Sequence, residues 1–477
     1  MQDPESFRAH AHRLVDWMAD YLASVEQYPV KSQVQPREIF EQLPDAPPPT
    51  GEDMATILAD FERIILPGIT HWQSPRFMAY FPANGSLPSL LAEMLTATLG
   101  TQCMIWETSP AAAELEEQMM HWLGQLIGIP AEWDGVIQST ASDASLCALI
   151  SARERASQFR VNEAGLQGQP RYRVYGSTEL HSSIEKDVKI AGLGRENYVR
   201  IPVDADLAMR PEALRAAIEA DLAQGFHPLA VVAAIGTTSS TAVDPLPALA
   251  DICAAHGIWL HVDAAYAGSA LILPECRPMI AGIERADSFV FNPHKWLFTH
   301  FDCSAYFVKD KGSLIRSFEI SPEYLKTGVD SQVNNYRDWG VPLGRRFRAL
   351  KLWFVMRSFG VQQMQAILRQ HLAWAQELRD QIVAHPAFEL MAPVPLNLLC
   401  FRYHPPHLDD EATLDRLNQS LLTTLNASGR LYLTHTRLHG RYVIRLVGGQ
   451  TNLTRQHVQD AWALVQEVAA GLLVEEA

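Results

Sequence analysis

Apolar residues recur at a spacing near 3.6 over residues 5–25, where Phe7, Leu14, Val15, Met18, Tyr21 and Leu22 fall on one side, and this pattern predicts an amphipathic helix. The stretch PDAPPPTG at 44–51 breaks it, because proline fixes its own φ and brings no backbone N–H. A second helix is predicted over 52–66, with Ile57, Leu58, Phe61, Ile64 and Ile65 on one side and Pro67 and Gly68 ending it. Two helices parted by such a linker make little core of their own. They are expected to pack on another surface, that of a partner subunit.

From about 85 to 360 the pattern alternates. Leu229–Ile235, Ile258–Val262, Ser288–Phe291 and Ser304–Val308 are apolar runs rich in β-branched residues and read as buried strands. Helical stretches separate the earlier ones, such as Pro245–His256, which stops at Gly257. This alternation implies an α/β fold, a mostly parallel sheet with helices on both faces, which holds its ligands outside the carboxyl ends of the strands. Beyond 360, helical segments such as Val361–Val383 flank the short strands Leu398–Tyr403 and Tyr442–Leu446. The expected division is an amino-terminal helical segment (1–84), a large domain (85–360) and a small α+β domain (361–477).

Composition narrows the function. The 477 residues exceed what one compact core holds, and 48% apolar with 19% charged residues is an ordinary globular balance. A formal net charge of −15 argues against a nucleic-acid partner. The basic stretch Arg345, Arg346, Arg348 and Lys351 reads as a solvated or partner-facing helix start. Six cysteines form no Cys-x-x-Cys pair, lie at no metal-ligand spacing from a histidine, and read as buried thiols of a reducing compartment. No metal is expected. The start MQDPESFRAHAHRL carries no signal-type apolar stretch and no run is long enough to span a bilayer, so a cytoplasmic location without membrane contact is expected.

The chemistry sits at strand ends. IWLHV runs into Asp263, and SFVF runs into Asn292-Pro293-His294-Lys295-Trp296. Neighbouring strands of a parallel sheet would bring this acid and this lysine to one crevice. Spacing alone leaves two readings, a buried ion pair or a lysine whose desolvated amine forms a Schiff base. GVIQSTASDAS (135–145) puts Thr140, Ala141 and Ser142 at a strand-to-helix turn, either a plain cap or a phosphate cradle. STELHSSIEKD (177–187) places His181 before a helix, and Thr237 and Thr238 follow another strand.

Taken together these motifs resemble the aromatic-L-amino-acid decarboxylase family of group II pyridoxal-phosphate-dependent decarboxylases. NPHKW (292–296) with FDCSA (301–305), HVDAAYAGSA (261–270), PLGRRFRALKLWFV (342–355) and HWQSPRFMAYFP (71–82) match in order and spacing, and the likeness covers nearly the whole chain. Trp296, after the lysine, is the position that points to the aromatic branch rather than to relatives acting on small acidic amino acids. The resemblance implies the pyridoxal-phosphate-dependent transferase-like fold (aspartate aminotransferase fold type I), pyridoxal 5′-phosphate (PLP) as cofactor, a homodimer, and release of CO2 from an aromatic L-amino acid: tyrosine, dopa, phenylalanine, tryptophan or 5-hydroxytryptophan.

The resemblance also implies roles. Lys295 would carry the cofactor as a Schiff base and Asp263 would pair with its ring nitrogen. Ala265 would pack on one ring face and His181 on the other. Thr238 would neighbour the phenolic oxygen or the substrate carboxylate. Ala141, Ser142, Asn292 and His294, with Thr140 beside them, would hold the phosphate. Trp72, Tyr80, Phe81, Pro82, His181 and, from a partner subunit, Met104 would line the substrate slot. In KTGVDSQVNNYRDWG (326–340), a lid rich in Gly328, Asp330, Ser331, Asn334 and Asn335, Tyr336 would protonate the substrate carbon. Two departures concern the substrate: Ala83-Asn84 follows the Phe-Pro pair where animal relatives carry threonine, and TQCMIW (101–106) differs from the family's Ile-Gly-Phe pattern. The rival on the same scaffold is an aromatic aldehyde synthase, whose plant members carry phenylalanine at the lid position.

Overall fold

A computed structural model describes residues 3–320 and 332–475. The chain forms two compact units, one of Met1–Pro82, Gln376–Met391 and Cys400–Ala477, the other of Ala83–Ala375 with Ala392–Leu399.

The larger unit is built on a seven-stranded sheet of β1 (Asp134–Gln138), β2 (Tyr172–Ser177), β3 (Tyr198–Ile201), β4 (His227–Ala234), β5 (Trp259–Asp263), β6 (Ser288–Phe291) and β7 (Ser304–Val308). Its order is β1-β7-β6-β5-β4-β2-β3. β3, β2, β4, β5 and β6 run parallel, and β7 is antiparallel to both β6 and β1. The sheet is thus mostly parallel. β4 through β7 are buried almost throughout, as their unbroken apolar runs require. Helix Leu246–His256 closes at Gly257, which takes the left-handed φ of +63° that a C-cap demands.

β1 is an edge strand whose unpaired backbone is met by side chains. Glu116 accepts from Ile137 N–H (2.8 Å) and Arg345 donates to Ile137 C=O (2.7 Å), while Arg345 and Glu116 pair at 2.6 Å. This corrects the reading of the basic stretch. Arg345 is buried against Glu116, Arg348 pairs with Asp302 (3.0 Å), and the buried Lys351 and the exposed Arg346 both reach Glu93 (2.5 Å each). Each cation has an acid distant in sequence, so the stretch is structural rather than solvated. It begins a helix at Arg348 that is broken at Gly360, whose φ of +67° is not helical, and the helix read from Val361 follows that break and runs to Ala384.

In the smaller unit, helix Pro4–Ser24 starts on an Asp3 cap and buries none of its residues. The second predicted helix is present in three gaits: α over Met54–Asp60, a wider π turn over Phe61–Ile65, and a 3-10 turn over Leu66–Gly68. The small sheet joins β8 (Phe388–Leu390), β9 (Leu398–Tyr403), β10 (Thr434–Leu438) and β11 (Arg441–Val447) in the order β10-β11-β9-β8. Among the described residues no helix is long and apolar enough to cross a membrane, and the six cysteines are free thiols, five of them buried.

Candidate active site

The strand ends meet as the alternation requires. Asp263, the last residue of β5, stands in register with Val290 of β6. The two strand ends stay zipped beyond the ladder, with Ala264 N–H donating to Val290 C=O and Asn292 N–H to Ala265 C=O, both at 2.9 Å. The chain then turns through a single helical turn, Pro293–Trp296, which carries Lys295. Glycine is needed close by, because a Cβ at Gly268 would lie 2.2 Å from that of Phe291.

Lys295, Asp263 and His181 act on one another electrostatically. Burial pulls the Lys295 amine below its ordinary pKa, against the pull of the Asp263 carboxylate. The Asp263 side chain is itself 8% exposed and accepts the Ala265 N–H at Oδ1 (2.9 Å). His181 is exposed as a residue, yet desolvation of its ring lowers its pKa, with Lys295 adding to the shift and Asp263 opposing it. Its Nδ1 accepts the Ser183 N–H (3.2 Å), so the neutral ring carries its proton on Nε2. Thr238 stands half-buried in the turn after β4, and that turn is tied to β5 by Ile235 N–H donating to Asp263 C=O (2.9 Å).

Thr140 caps helix Ala141–Ala156 through a reciprocal box with Asp143. The Ala141 and Ser142 N–H groups belong to the first turn, where the helix offers no acceptor of its own. Asn292 Oδ1 accepts from Ser304 Oγ (2.6 Å), which turns its amide N–H groups to other acceptors. His294 Nδ1 accepts the Cys303 N–H (2.9 Å); burial and the Lys295 charge push its pKa down to about 3, so it stays neutral with a donor on Nε2. This donor set fits PLP: a less basic amine for the aldehyde, a carboxylate for the ring nitrogen, and neutral N–H donors at a helix start for the phosphate.

Three features were not read from the sequence. Trp296 is fully buried, stacks on Tyr266 (5.0 Å between centroids) and donates to His371 Nδ1 (3.0 Å). It therefore braces the turn that carries Lys295 from within the core. His261, two residues before Asp263, bridges Ser145 of helix Ala141–Ala156 and Ser288 of β6. Asp187, on helix Ser183–Ile190, is a buried acid close enough to feel Asp143 and Asp263. Only strand alternation, which puts His261 on the Asp263 face, hinted at any of these.

The structure does not bring Tyr336 to Lys295. Tyr336 is 2% exposed, with its ring against Trp339 (5.2 Å) and under the Arg345 guanidinium (4.9 Å), and its hydroxyl meets no partner among the described residues. The charges acting on it are Glu116, Glu117, Arg345 and Asp134, all at the β1 edge. The proton-donor reading of Tyr336 is corrected accordingly: its apolar neighbours and the covered sheet edge hold it as a core residue. Met104 is tied to the same region, accepting the Arg337 N–H at 2.9 Å. Of the lid, Gly328, Asp330 and Ser331 lie outside the described residues, while Asn334 donates to Glu117 (2.9 Å) and Asn335 accepts the Trp106 N–H (2.9 Å).

The substrate-slot residues Trp72, Tyr80, Phe81 and Pro82 belong to the smaller unit. There Trp72 stacks with Tyr80 (6.0 Å), and both stay open to solvent at 37% and 48%. Tyr80 takes a left-handed φ of +50°, rare for a bulky residue, and its hydroxyl meets that of Tyr432 at 3.2 Å. Phe81 lies beneath the Arg445 guanidinium and Pro82 is buried. An exposed, strained aromatic pair is not ordinary core packing.

Residues 36–404 match the family described as the pyridoxal-dependent decarboxylase conserved domain. The chain belongs to that family, and its cofactor is pyridoxal 5′-phosphate. It is 43% identical to phenylacetaldehyde synthase of Arabidopsis thaliana, over 99% of this chain and 97% of that one. It is 42% identical to tyrosine decarboxylase 4 of Petroselinum crispum, over 99% and 95%. The crystal structure of Oryza sativa TDC with PLP and tryptamine superposes with a TM-score of 0.96 at 36% identity, covering 99% of both chains.

Proposed function

We propose that this chain is a carboxy-lyase that removes CO2 from an aromatic L-amino acid and releases the arylalkylamine. The observation that carries the reading is the Lys295 amine, made less basic by burial, set against Asp263 with the neutral His181 in electrostatic reach of both, in a chain whose relatives include a tyrosine decarboxylase and a phenylacetaldehyde synthase. When bound, PLP supplies the sink for the electron pair left behind as the carboxylate departs. Lys295 holds the cofactor, its amine made less basic by desolvation. Asp263, fixed by the Ala265 N–H, keeps a negative charge at the ring-nitrogen end, and Ala265 leaves room for a flat ring. His181, neutral and carrying its proton on Nε2, presents a donor to the substrate carboxylate. Thr238 stands at the same strand end. Thr140, Ala141, Ser142, Asn292 and His294 take the phosphate.

A homodimer suits the surface. Leu87, Leu91, Leu95 and Leu99 form a stripe at four-residue spacing on helix Leu87–Leu99, exposed at 65%, 56%, 45% and 60%. A contiguous leucine face of this kind is covered in a working assembly, and a second copy of the chain is the cover we propose. Free thiols in all six positions suit a cytoplasmic setting.

The aldehyde synthase remains the second reading, because a relative at 43% identity bears that name and Tyr336 no longer separates the two. Incubating the holoenzyme with aromatic L-amino acids and quantifying amine, CO2, aldehyde and peroxide together decides. Equal amine and CO2 establish the decarboxylase. Aldehyde with peroxide moves the chain to the synthase, and CO2 from glutamate alone refutes the aromatic assignment.

A further inference from the structure

PLP is a small rigid molecule whose ring nitrogen and phosphate lie at opposite ends, so the protein must hold Asp263 and the start of helix Ala141–Ala156 at one separation. Apolar packing between that helix and the sheet is non-directional and tolerates sliding along a strand. A buried hydrogen bond does not, because a displaced donor or acceptor loses its partner with no water to replace it.

His261 is fully buried and supplies that constraint. One ring nitrogen lies 3.1 Å from Ser145 Oγ and the other 2.9 Å from Ser288 Oγ, which in turn accepts from Trp259 Nε1 (2.9 Å). A neutral imidazole donates through one nitrogen and accepts through the other, so two hydroxyls satisfy it completely. Ser145 lies one turn, about 6 Å, into the helix from Ala141. Asp263 lies two residues, about 6–7 Å, along β5 from His261 and on the same face. The imidazole thus joins the two elements one step behind each of their cofactor-facing ends.

We propose that His261, through Ser145, is a positioning residue that sets the distance between the ring-nitrogen acid Asp263 and the phosphate-binding helix start. The inference rests on the reading that these two places hold the two ends of PLP. It does not touch substrate and acts only through the residues it aligns.

The test compares two ligands on the full-length chain stripped of cofactor: PLP and pyridoxal, which lacks the phosphate. Ser145→Ala removes one hydrogen bond and leaves the imidazole in place. It is expected to raise the Kd for PLP roughly two- to tenfold while the Kd for pyridoxal holds. His261→Phe is expected to lower the PLP preference further, and His261→Gln, which keeps a donor and an acceptor, to restore part of it. Equal weakening for both ligands would mean general loosening and overturn the proposal, as would an unchanged preference in Ser145→Ala and His261→Phe. Thr140→Ala separates the proposal from the reading beneath it. If Thr140→Ala lowers the PLP preference and the Ser145 and His261 variants do not, only the positioning role falls. If Thr140→Ala also leaves it unchanged, the phosphate lies elsewhere and both fall.

Discussion

Asp187 offers a stability prediction with a definite sign. The residue is 2% exposed, one of its carboxyl oxygens meets no partner among the described residues, and the charges acting on it besides Lys186 are the acids Asp143 and Asp263. Burial, and then those two negative charges, raise its pKa from an ordinary 3.8 to about 7. Because the folded chain holds this proton more tightly than the unfolded one, nothing changes below pH 3.8. Between pH 3.8 and about 7 the unfolded chain is ionised while the folded chain is not, and stability falls as pH rises. Each unit amounts to about 1.4 kcal/mol, so the whole window spans roughly 4 kcal/mol as a ceiling. Asp187→Asn removes this slope. Following the melting temperature of holoenzyme at saturating PLP from pH 5 to pH 8, the variant should gain about 1–3 °C on the natural protein, most of it before pH 7. Parallel curves over that range would refute the reasoning, since they would mean the folded chain ionises Asp187 as readily as the unfolded one.

Other outcomes follow from particular contacts. Tyr336→Phe deletes a buried hydroxyl that meets no partner among the described residues, so melting temperature and the amine-to-aldehyde ratio should both hold; a switch to aldehyde would restore Tyr336 to the reaction. Arg345→Met leaves Glu116 charged and buried at the β1 edge, a change expected to cost about 3–5 kcal/mol, and adding Glu116→Gln should recover most of it in denaturant melts. Leu91→Asp with Leu95→Asp on the leucine stripe should convert a dimer to a monomer by light scattering, and an unchanged mass would place the interface elsewhere.

The sequence carried the catalytic strands and not their supports. β4 to β7 are legible because each is a nearly unbroken apolar run, and the strand that ends in Asp263 lies next to the one that leads into the turn carrying Lys295. β2 and β3 mix Arg, Tyr, Gly and Ser with apolar residues and lack that signature. The ion pairs of Arg345 and Lys351 were illegible because their acids, Glu116 and Glu93, lie far back along the chain. Tyr336 shows the opposite error: its polar, glycine-bearing surroundings in sequence looked like a mobile loop, while in space its neighbours are Trp339, Arg345 and the edge of a sheet. The role of His261 needed three elements in place before any of its hydrogen bonds existed.

The place of β1 in the sheet bears on how the protein is made. Asp134 pairs with Val308 and Gln138 with Ser304, so the strand that leads into the turn at Thr140, proposed above to hold the phosphate, finds its partner only after most of the larger unit has been synthesised. Long-range pairing of this kind is slow, because the intervening loop must close before any contact rewards it. β1, the strand before the helix start at Ala141, has no sheet neighbour until β7 has been made. Capture of PLP is then a late event in the life of the nascent chain, and cofactor uptake reports that the central sheet is complete.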